Sequence, residues 1–182
     1  GYVGVDDVDA GAALAKQAGG AIRHGPDDIP GVGRFATVTD PHGASITLFK
    51  GTSETPPPTA GTPGDVGWRE LHAGDLAGDL PFYERLFGWT KAEAFDMGPM
   101  GTYQLFAIGG VPSGGMMTKT KELPLPLWLY YFNVDDIDAA TARVKDHGGQ
   151  VLFGPQDVPG GSWIVQCRDP QGAMFALLGP RR

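Results

Sequence analysis

The sequence is poor in the features that would tie a protein to a membrane, a nucleic acid or an oxidising compartment. None of its apolar runs approaches the roughly 20 residues that a bilayer-spanning helix needs, and no signal-peptide pattern is present. Lys and Arg together number only 14, form no cluster and leave a net charge of −7, which argues against nucleic acid or anionic membrane as a partner. The single cysteine, Cys167, allows no internal disulfide. We therefore expect a cytoplasmic protein.

Signatures of several enzyme classes are missing as well. The sequence holds no Gly-x-Ser-x-Gly nucleophile motif and no phosphate-binding glycine loop. Cys167 lies in an apolar run without a histidine in the same motif, which predicts a buried structural thiol rather than a reactive one. The 29 glycines and 16 prolines, in contrast, are abundant and spread over turn positions. This distribution favours many short strands.

One internal repeat organises the chain. Residues 2–50 align with residues 131–179 at a constant offset of 129 positions, without a gap. Such a repeat indicates one supersecondary unit that is used more than once. The matched landmarks are capping and turn residues: Asp6-Asp7 with Asp135-Asp136, Gly19-Gly20 with Gly148-Gly149, Gly25-Pro26 with Gly154-Pro155, Asp40-Pro41 with Asp169-Pro170, and Gly43-Ala44 with Gly172-Ala173.

Each copy has the pattern of a βαβββ unit. In the second copy the apolar run 127–134 predicts a strand, and Asp135-Asp136 predict the N-terminus of a helix over 137–146. Gly148-Gly149 ends that helix. Three further strands are expected at 150–153, 163–168 and 173–178, with a Gly/Pro-rich crossover loop after the first of them.

A divergent third unit, residues 68–118, lies between the copies. Its strand 68–73 precedes a helix with an apolar face, and Pro81 is placed near the helix start, where a missing N–H costs nothing. Gly109-Gly110 and Gly114-Gly115 are interpreted as hairpin turns. Residues 51–67 contain three successive prolines and have the composition of a linker.

These landmarks resemble those of the glyoxalase/bleomycin resistance/extradiol dioxygenase superfamily, the vicinal oxygen chelate proteins. The resemblance implies a bacterial protein. The resemblance implies an α+β fold in which βαβββ modules pair into half-open barrels around a ligand. Trp68–Leu71, Asp75, Phe82-Tyr83 and Leu86–Trp89 resemble the opening half-module of that family, and Val134–Asp138, Gly148-Gly149, Gly154-Pro155 and Asp169–Ala173 its closing half-module.

The resemblance also implies a domain organisation. Residues 68–182 are expected to form one complete domain from modules 68–118 and 127–179. Residues 1–50 then correspond to the closing half-module of an N-terminal domain whose opening half is absent from this sequence. We expect either a longer native protein or pairing of this module with another subunit. A homodimer is one expected state, because the fold commonly exchanges modules.

Metal-using members of the family hold a divalent ion through His or Gln in the first strand of each module and Glu in the last. On this sequence those positions fall on Trp68, Leu129 and Ala176, and on Thr47 in the first copy. None of the four is a good ligand. The resemblance therefore predicts no metal site and no cofactor, with a divalent metal at a shifted site as the alternative.

The resemblance implies that Trp68, Leu129 and Ala176 face the ligand, and strand periodicity adds further residues to that side. Residues two apart on a strand share a face, which extends the set from Trp68, Leu129 and Ala176 to their polar and apolar neighbours. The result is an apolar, aromatic cavity with a few polar anchors, as small-molecule sites usually have. The predicted ligand-binding residues are Trp68, Glu70, His72, Tyr103, Leu129, Tyr131, Asn133, Met174 and Ala176.

Glu70 and His72 are the candidate catalytic residues, because their side chains at i and i+2 can act as an acid/base pair. We favour the interpretation that they are hydrogen-bonded cavity or surface residues, and a relocated metal site at these two side chains is a further alternative. We expect metal-independent binding of a small, largely apolar or aromatic molecule. The alternatives are a metal-dependent glyoxalase-like lyase, isomerase or dioxygenase, and an oligomerising scaffold. His42, in a predicted turn, is expected to be solvated.

Overall fold

The computed structural model describes residues 1–53 and 59–182, so the three successive prolines of the predicted linker lie outside the described residues. The helices are α1 (Val8–Gln17), α2 (Leu76–Phe87) and α3 (Ile137–Asp146), with a 3-10 turn at Gly98–Met100. The strands are β1 (Tyr2–Gly4), β2 (Ala21–Ile29), β3 (Gly33–Thr39), β4 (Ser45–Gly51), β5 (Val66–Ala73), β6 (Thr90–Asp96), β7 (Thr102–Ile108), β8 (Val111–Thr118), β9 (Leu127–Asn133), β10 (Gln150–Val158), β11 (Ser162–Arg168) and β12 (Met174–Gly179).

The described residues form two compact units, and the predicted division into modules 1–50, 68–118 and 127–179 stays a prediction. Unit 2 comprises residues 59–70 and 129–182. Its sheet has the order β10-β11-β12-β9, and α3 covers one face. The core on this face joins the helix to the strands through Ile137, Ala140, Val165, Cys167 and Leu177.

Unit 1 comprises residues 1–53 and 71–128. It holds one sheet of order β1-β4-β3-β2, covered by α1, and the strands β8-β7-β6, against which α2 packs. Buried aromatic residues pack against one another in its core. Trp89 stacks on Phe106 with ring centroids 4.5 Å apart, and Trp128 meets Tyr83 edge-on at 5.2 Å. Such pairs stabilise a core beyond the apolar area that they bury.

The repeat predicted from the sequence is confirmed in detail. The helix predicted over 137–146 has these bounds, and both repeated helices begin at an aspartate. Asp7 accepts a hydrogen bond from the Ala10 amide at 2.9 Å, and Asp136 accepts one from Asp138 at the same distance. Capping by a carboxylate satisfies amides that the helix itself cannot pair.

Three local predictions were wrong. The expected Gly/Pro crossover loop instead continues β10 through to Val158. Gly114-Gly115 lie inside β8 and not in a turn. Position 115 requires glycine, because a Cβ there would collide with the Tyr103 ring. Pro81 lies inside α2 rather than at its start, because the helix already begins after the cap at Asp75. Pro81 has no N–H, so it cannot donate the usual helical hydrogen bond to the Ala77 carbonyl.

A buried carboxylate connects the β3–β4 turn to α2 in unit 1. Asp40 is 2% exposed. Its Oδ1 accepts from the amides of residues 42–44 at 2.7–3.0 Å, and its Oδ2 accepts from the Tyr83 hydroxyl at 3.0 Å. The Tyr83 oxygen in turn accepts from the Trp128 indole N–H at 3.1 Å. Burial, followed by the charge of Asp79, raises the pKa of Asp40.

His42 is exposed, as its turn position predicted, but its ring is also paired. Its Nδ1 lies 2.7 Å from Oδ1 of Asp79, a carboxylate with no exposed surface. The other Asp79 oxygen accepts from the amides of Gly74 and Asp75. The hydrogen bond to Asp79 is the main reason that the pKa of His42 is raised. A charged His42 therefore compensates a buried aspartate.

We expect the stability of the protein to depend on pH through this pair. Since the folded-state pKa of His42 is raised, its contribution is complete below the unfolded-state value of about 6.5 and is lost as the pH rises through the folded-state value. The His42→Asn variant should therefore lose less thermal stability than the unmodified chain as the pH rises above about 6.5. In an Asp79→Asn background the same substitution should change the slope no further. Equal slopes for the single variant and the unmodified chain would contradict the pairing.

Candidate functional site

The candidate site lies on the sheet face of unit 2 that points away from α3, called here the inner face. Val165 and Cys167 of β11 pack towards the helix, so Gln166 between them points to the inner face. The register pairs Gln166 with Ala176, and Ala176 with Tyr131. One row across three neighbouring strands therefore brings these three residues side by side.

Three polar side chains meet above this row and form what we call the Glu70 cluster: Glu70, Tyr131 and Gln166. The Tyr131 hydroxyl donates to Oε1 of Glu70 at 3.1 Å. Nε2 of Gln166 donates to the Tyr131 oxygen at 2.8 Å and reaches Oε1 of Glu70 at 3.5 Å. Glu70 is 8% exposed and Tyr131 1%. Buried polar groups of this kind are costly unless they are paired, and these are paired with one another.

Ala176 has no exposed surface and lies in the row between Gln166 and Tyr131. The Gln166 amide crosses above it to reach the Tyr131 hydroxyl. A small side chain at position 176 leaves room for this crossing. The position at which the family resemblance would place a carboxylate ligand is thus spanned by a hydrogen bond between two neutral side chains.

The remaining predicted residues of unit 2 have different surroundings. Leu129 is fully buried, and Trp68 and Met174 are half-buried. Asn133 is engaged by the segment before β5: its Nδ2 donates to the Thr62 carbonyl at 3.3 Å, and a Cβ on Gly67 would lie 2.1 Å from its Oδ1. Asn133 therefore holds that segment in place.

The other two predicted residues, His72 and Tyr103, belong to unit 1. His72 is 7% exposed and lies in the second half of β5. Tyr103 is half-buried on β7, with its ring over Gly115 of β8. Of the predicted polar anchors, the structure joins Glu70 and Tyr131 directly. It joins them to Gln166, which the sequence analysis did not select.

Cys167 is buried in the core between the sheet and α3, as its sequence context predicted. Burial raises the pKa of its thiol to about 11. At neutral pH the thiol is therefore protonated, and only the thiolate is an effective nucleophile or metal ligand. Cys167 is a structural residue.

The donor set does not fit the metal centre of the resembled family. Trp68, Leu129 and Ala176 offer no oxygen or nitrogen suited to a divalent ion. Within residues 1–53 and 59–182, no group of three or more His, Cys, Asp or Glu side chains is arranged to hold a metal ion. Oxygen atoms are present in the Glu70 cluster, but only one of its three residues is a carboxylate.

Comparison with known proteins places the chain in a family. Residues 66–177 match the model of the Glyoxalase/Bleomycin resistance protein/Dioxygenase superfamily. A Mycobacterium tuberculosis protein named as a glyoxylase, CFP32, is 35% identical over 98% of this chain and 68% of its own length. The anthracycline biosynthesis protein DnrV of Streptomyces peucetius is 35% identical over 97% of the chain and 64% of its own length.

Solved structures agree on the fold. The Mn(II)-bound glyoxalase from Novosphingobium aromaticivorans superposes with a TM-score of 0.66 at 16% identity, over 100% of this chain and 62% of that one. A substrate complex of homoprotocatechuate 2,3-dioxygenase from Brevibacterium fuscum gives 0.67 at 14% identity, over 100% and 61%. At such identities the likeness concerns the fold alone. Among the described residues, no helix is long and apolar enough to cross a membrane.

Proposed function

Given that the chain belongs to the Glyoxalase/Bleomycin resistance protein/Dioxygenase superfamily, we propose that it binds a small, largely apolar or aromatic organic molecule on the inner face of unit 2 without a metal ion. The Glu70 cluster carries this proposal. Its polar atoms are fixed by one another, and the side chains around them, such as Leu129, Met174 and Ala176, are apolar. A few fixed polar groups in apolar surroundings are typical of small-molecule sites.

The cluster gives Gln166 a defined orientation. A carboxylate only accepts hydrogen bonds, so the Gln166 Nε2 group turns inward to Glu70 and Tyr131, and its carbonyl oxygen points the other way. Within the described part of the chain, this oxygen makes no hydrogen bond, and Gln166 is half-buried rather than enclosed. We assign the Gln166 carbonyl as the acceptor that receives a hydroxyl or N–H donor of the ligand.

The relatives support the class of ligand. One is named as a glyoxylase and another as an anthracycline biosynthesis protein, and both names concern small organic molecules. The chain spans about two thirds of the length of these relatives. Their names therefore support the class of ligand proposed for the chain, and not the activity of the whole protein. Fold alone does not decide function within a superfamily.

A second candidate is a metal-dependent lyase, isomerase or dioxygenase. The glyoxylase name and the Mn(II)-bound glyoxalase of similar fold favour it. It requires several oxygen or nitrogen ligands around one point. At the positions implied by the resemblance, this chain has Trp68, Leu129, Ala176 and Thr47. For this reason we favour the metal-independent binder.

Calorimetric titration with 2-naphthol, a planar molecule with one hydroxyl, tests the proposal. We expect saturable binding with one site per chain in the presence of EDTA. The heat capacity change should be negative, because apolar surface is buried. The absence of saturable binding by 2-naphthol would contradict the proposed function.

A further inference from the structure

Phe153 is a large aromatic residue exposed beside Gln166. It lies on β10, the edge strand of the unit 2 sheet, and is 50% exposed. The register pairs it directly with Gln166. Directly paired residues of antiparallel strands share a face, with Cβ atoms roughly 4.5–5.5 Å apart. The ring therefore extends the row of Gln166, Ala176 and Tyr131 by one strand.

A β-bulge sets this orientation. Val151 pairs with Cys167 and packs against the core that α3 covers. In a regular strand Phe153, two residues later, would point to the same side as Val151. The register shift between Val151 and Phe153 accommodates Leu152 as an extra residue. This bulge turns Phe153 to the inner face, as bulges beside binding sites often do.

The internal repeat supplies the geometry of a ring stacked at this position. The offset of 129 places His24 where Phe153 lies and Phe35 where Ile164 lies. In the first copy His24 stacks on Phe35, with centroids 5.3 Å apart and planes 24° apart. In the second copy Ile164 offers no ring, and Phe153 forms no aromatic pair with any residue that the structure describes. The same backbone arrangement thus leaves an aromatic face without an aromatic partner.

We propose that Phe153 is the specificity residue of the site and selects a planar aromatic ring that carries a hydroxyl group. The ligand ring stacks on Phe153 over Ile164, in the place that Phe35 takes in the first copy. The hydroxyl donates to the Gln166 carbonyl, which lies in the same row. This inference rests on the proposed function and deepens it, because it names the chemical class of the ligand.

The test compares 2-naphthol with its saturated counterpart, decahydro-2-naphthol, on the full chain. Phe153→Leu keeps an apolar side chain and removes the ring. We expect it to weaken 2-naphthol binding roughly 2- to 10-fold, which is the range for loss of an aromatic pair, and to leave binding of the saturated alcohol within about twofold. One control should leave both affinities unchanged: His24→Leu, which removes the stack of the first copy.

The outcomes separate the two proposals. Equal weakening of both alcohols by Phe153→Leu would overturn aromatic selection. Unchanged 2-naphthol affinity in Phe153→Leu would overturn it as well. If binding then still depends on Gln166, the proposed function stands. If the unmodified chain does not bind 2-naphthol, both proposals fall together. A preference for 2-naphthol that disappears only in Phe153→Leu supports the assignment.

Discussion

Replacing Asp40 by Ala should lower the melting temperature by on the order of 10 °C. The substitution removes the side-chain acceptor of three backbone amides and of the Tyr83 hydroxyl, and two of these donors, the Ala44 amide and the Tyr83 hydroxyl, lose a buried hydrogen bond. Unsatisfied buried donors cost about 1–3 kcal/mol each. Burial of the carboxylate, which raises the pKa of Asp40, is itself costly, so removing it offsets part of this loss of stability. We expect a net loss of about 3–4 kcal/mol. Each kcal/mol lowers the melting temperature of a chain of this size by roughly 2–4 °C.

The repeat provides a matched control for this prediction. Asp169 occupies the equivalent turn and accepts from the amides of Gln171 and Ala173 at 2.9 and 2.8 Å, but it is half-buried and no tyrosine hydroxyl pairs with it among the described residues. Asp169→Ala should cost about 1 kcal/mol, the net worth of ordinary hydrogen bonds. Differential scanning calorimetry of both variants measures the difference. Equal losses would mean that the connection of Asp40 to Tyr83 contributes nothing beyond the turn.

The second large effect concerns ligand affinity. Gln166→Leu should weaken 2-naphthol binding about tenfold, because it removes the carbonyl that accepts from the ligand hydroxyl. A net hydrogen bond is worth about 0.5–1.5 kcal/mol, and 1.4 kcal/mol corresponds to a factor of ten. Titration with 2-methoxynaphthalene, which lacks the donor, should give nearly the same affinity for both proteins. The pair of ligands and the pair of proteins thus form a double-mutant cycle.

Thr37 is the matched control for Gln166, because it holds the equivalent position in the first copy. It bonds to Thr47, with hydroxyl oxygens 3.1 Å apart, and lies in unit 1. Thr37→Val should leave 2-naphthol affinity unchanged. If Gln166→Leu weakens 2-naphthol and 2-methoxynaphthalene equally, the side chain shapes the site without accepting a hydrogen bond from the ligand.

Much of the fold could be predicted from the sequence, because the repeat compares two copies of one unit. Asp136 and Gly148-Gly149 mark the ends of α3, and the observed helix lies between them. Strand periodicity placed Glu70 and Tyr131 in the candidate cavity, and the structure joins them. Local rules failed where a neighbour decides the conformation. Gly114-Gly115 resemble a turn in isolation, but they lie in β8, where Gly115 accommodates the Tyr103 ring.

The polar residues that were missed had weaker signals. Gln166 is a polar residue between apolar Val165 and Cys167, and this alternation alone would have placed it opposite the helix. Pairing with Tyr131 depends on the order of the strands, which the sequence does not state. The link from Asp40 to Tyr83 has no local signature at all. It depends on the packing of the β3–β4 turn against α2.

Metal dependence of ligand binding tests the central claim most directly. The content of Mn, Fe, Co, Ni, Cu and Zn would be measured per chain in the purified protein, which would then be stripped with EDTA. 2-Naphthol would then be titrated before and after one equivalent of each ion is restored. We predict less than about a tenth of an equivalent of metal and an affinity that no ion changes by more than about twofold, since a ligand that does not act through a metal gains nothing from one. Binding that appears only with a bound metal ion would contradict the account and favour the metal-dependent enzyme.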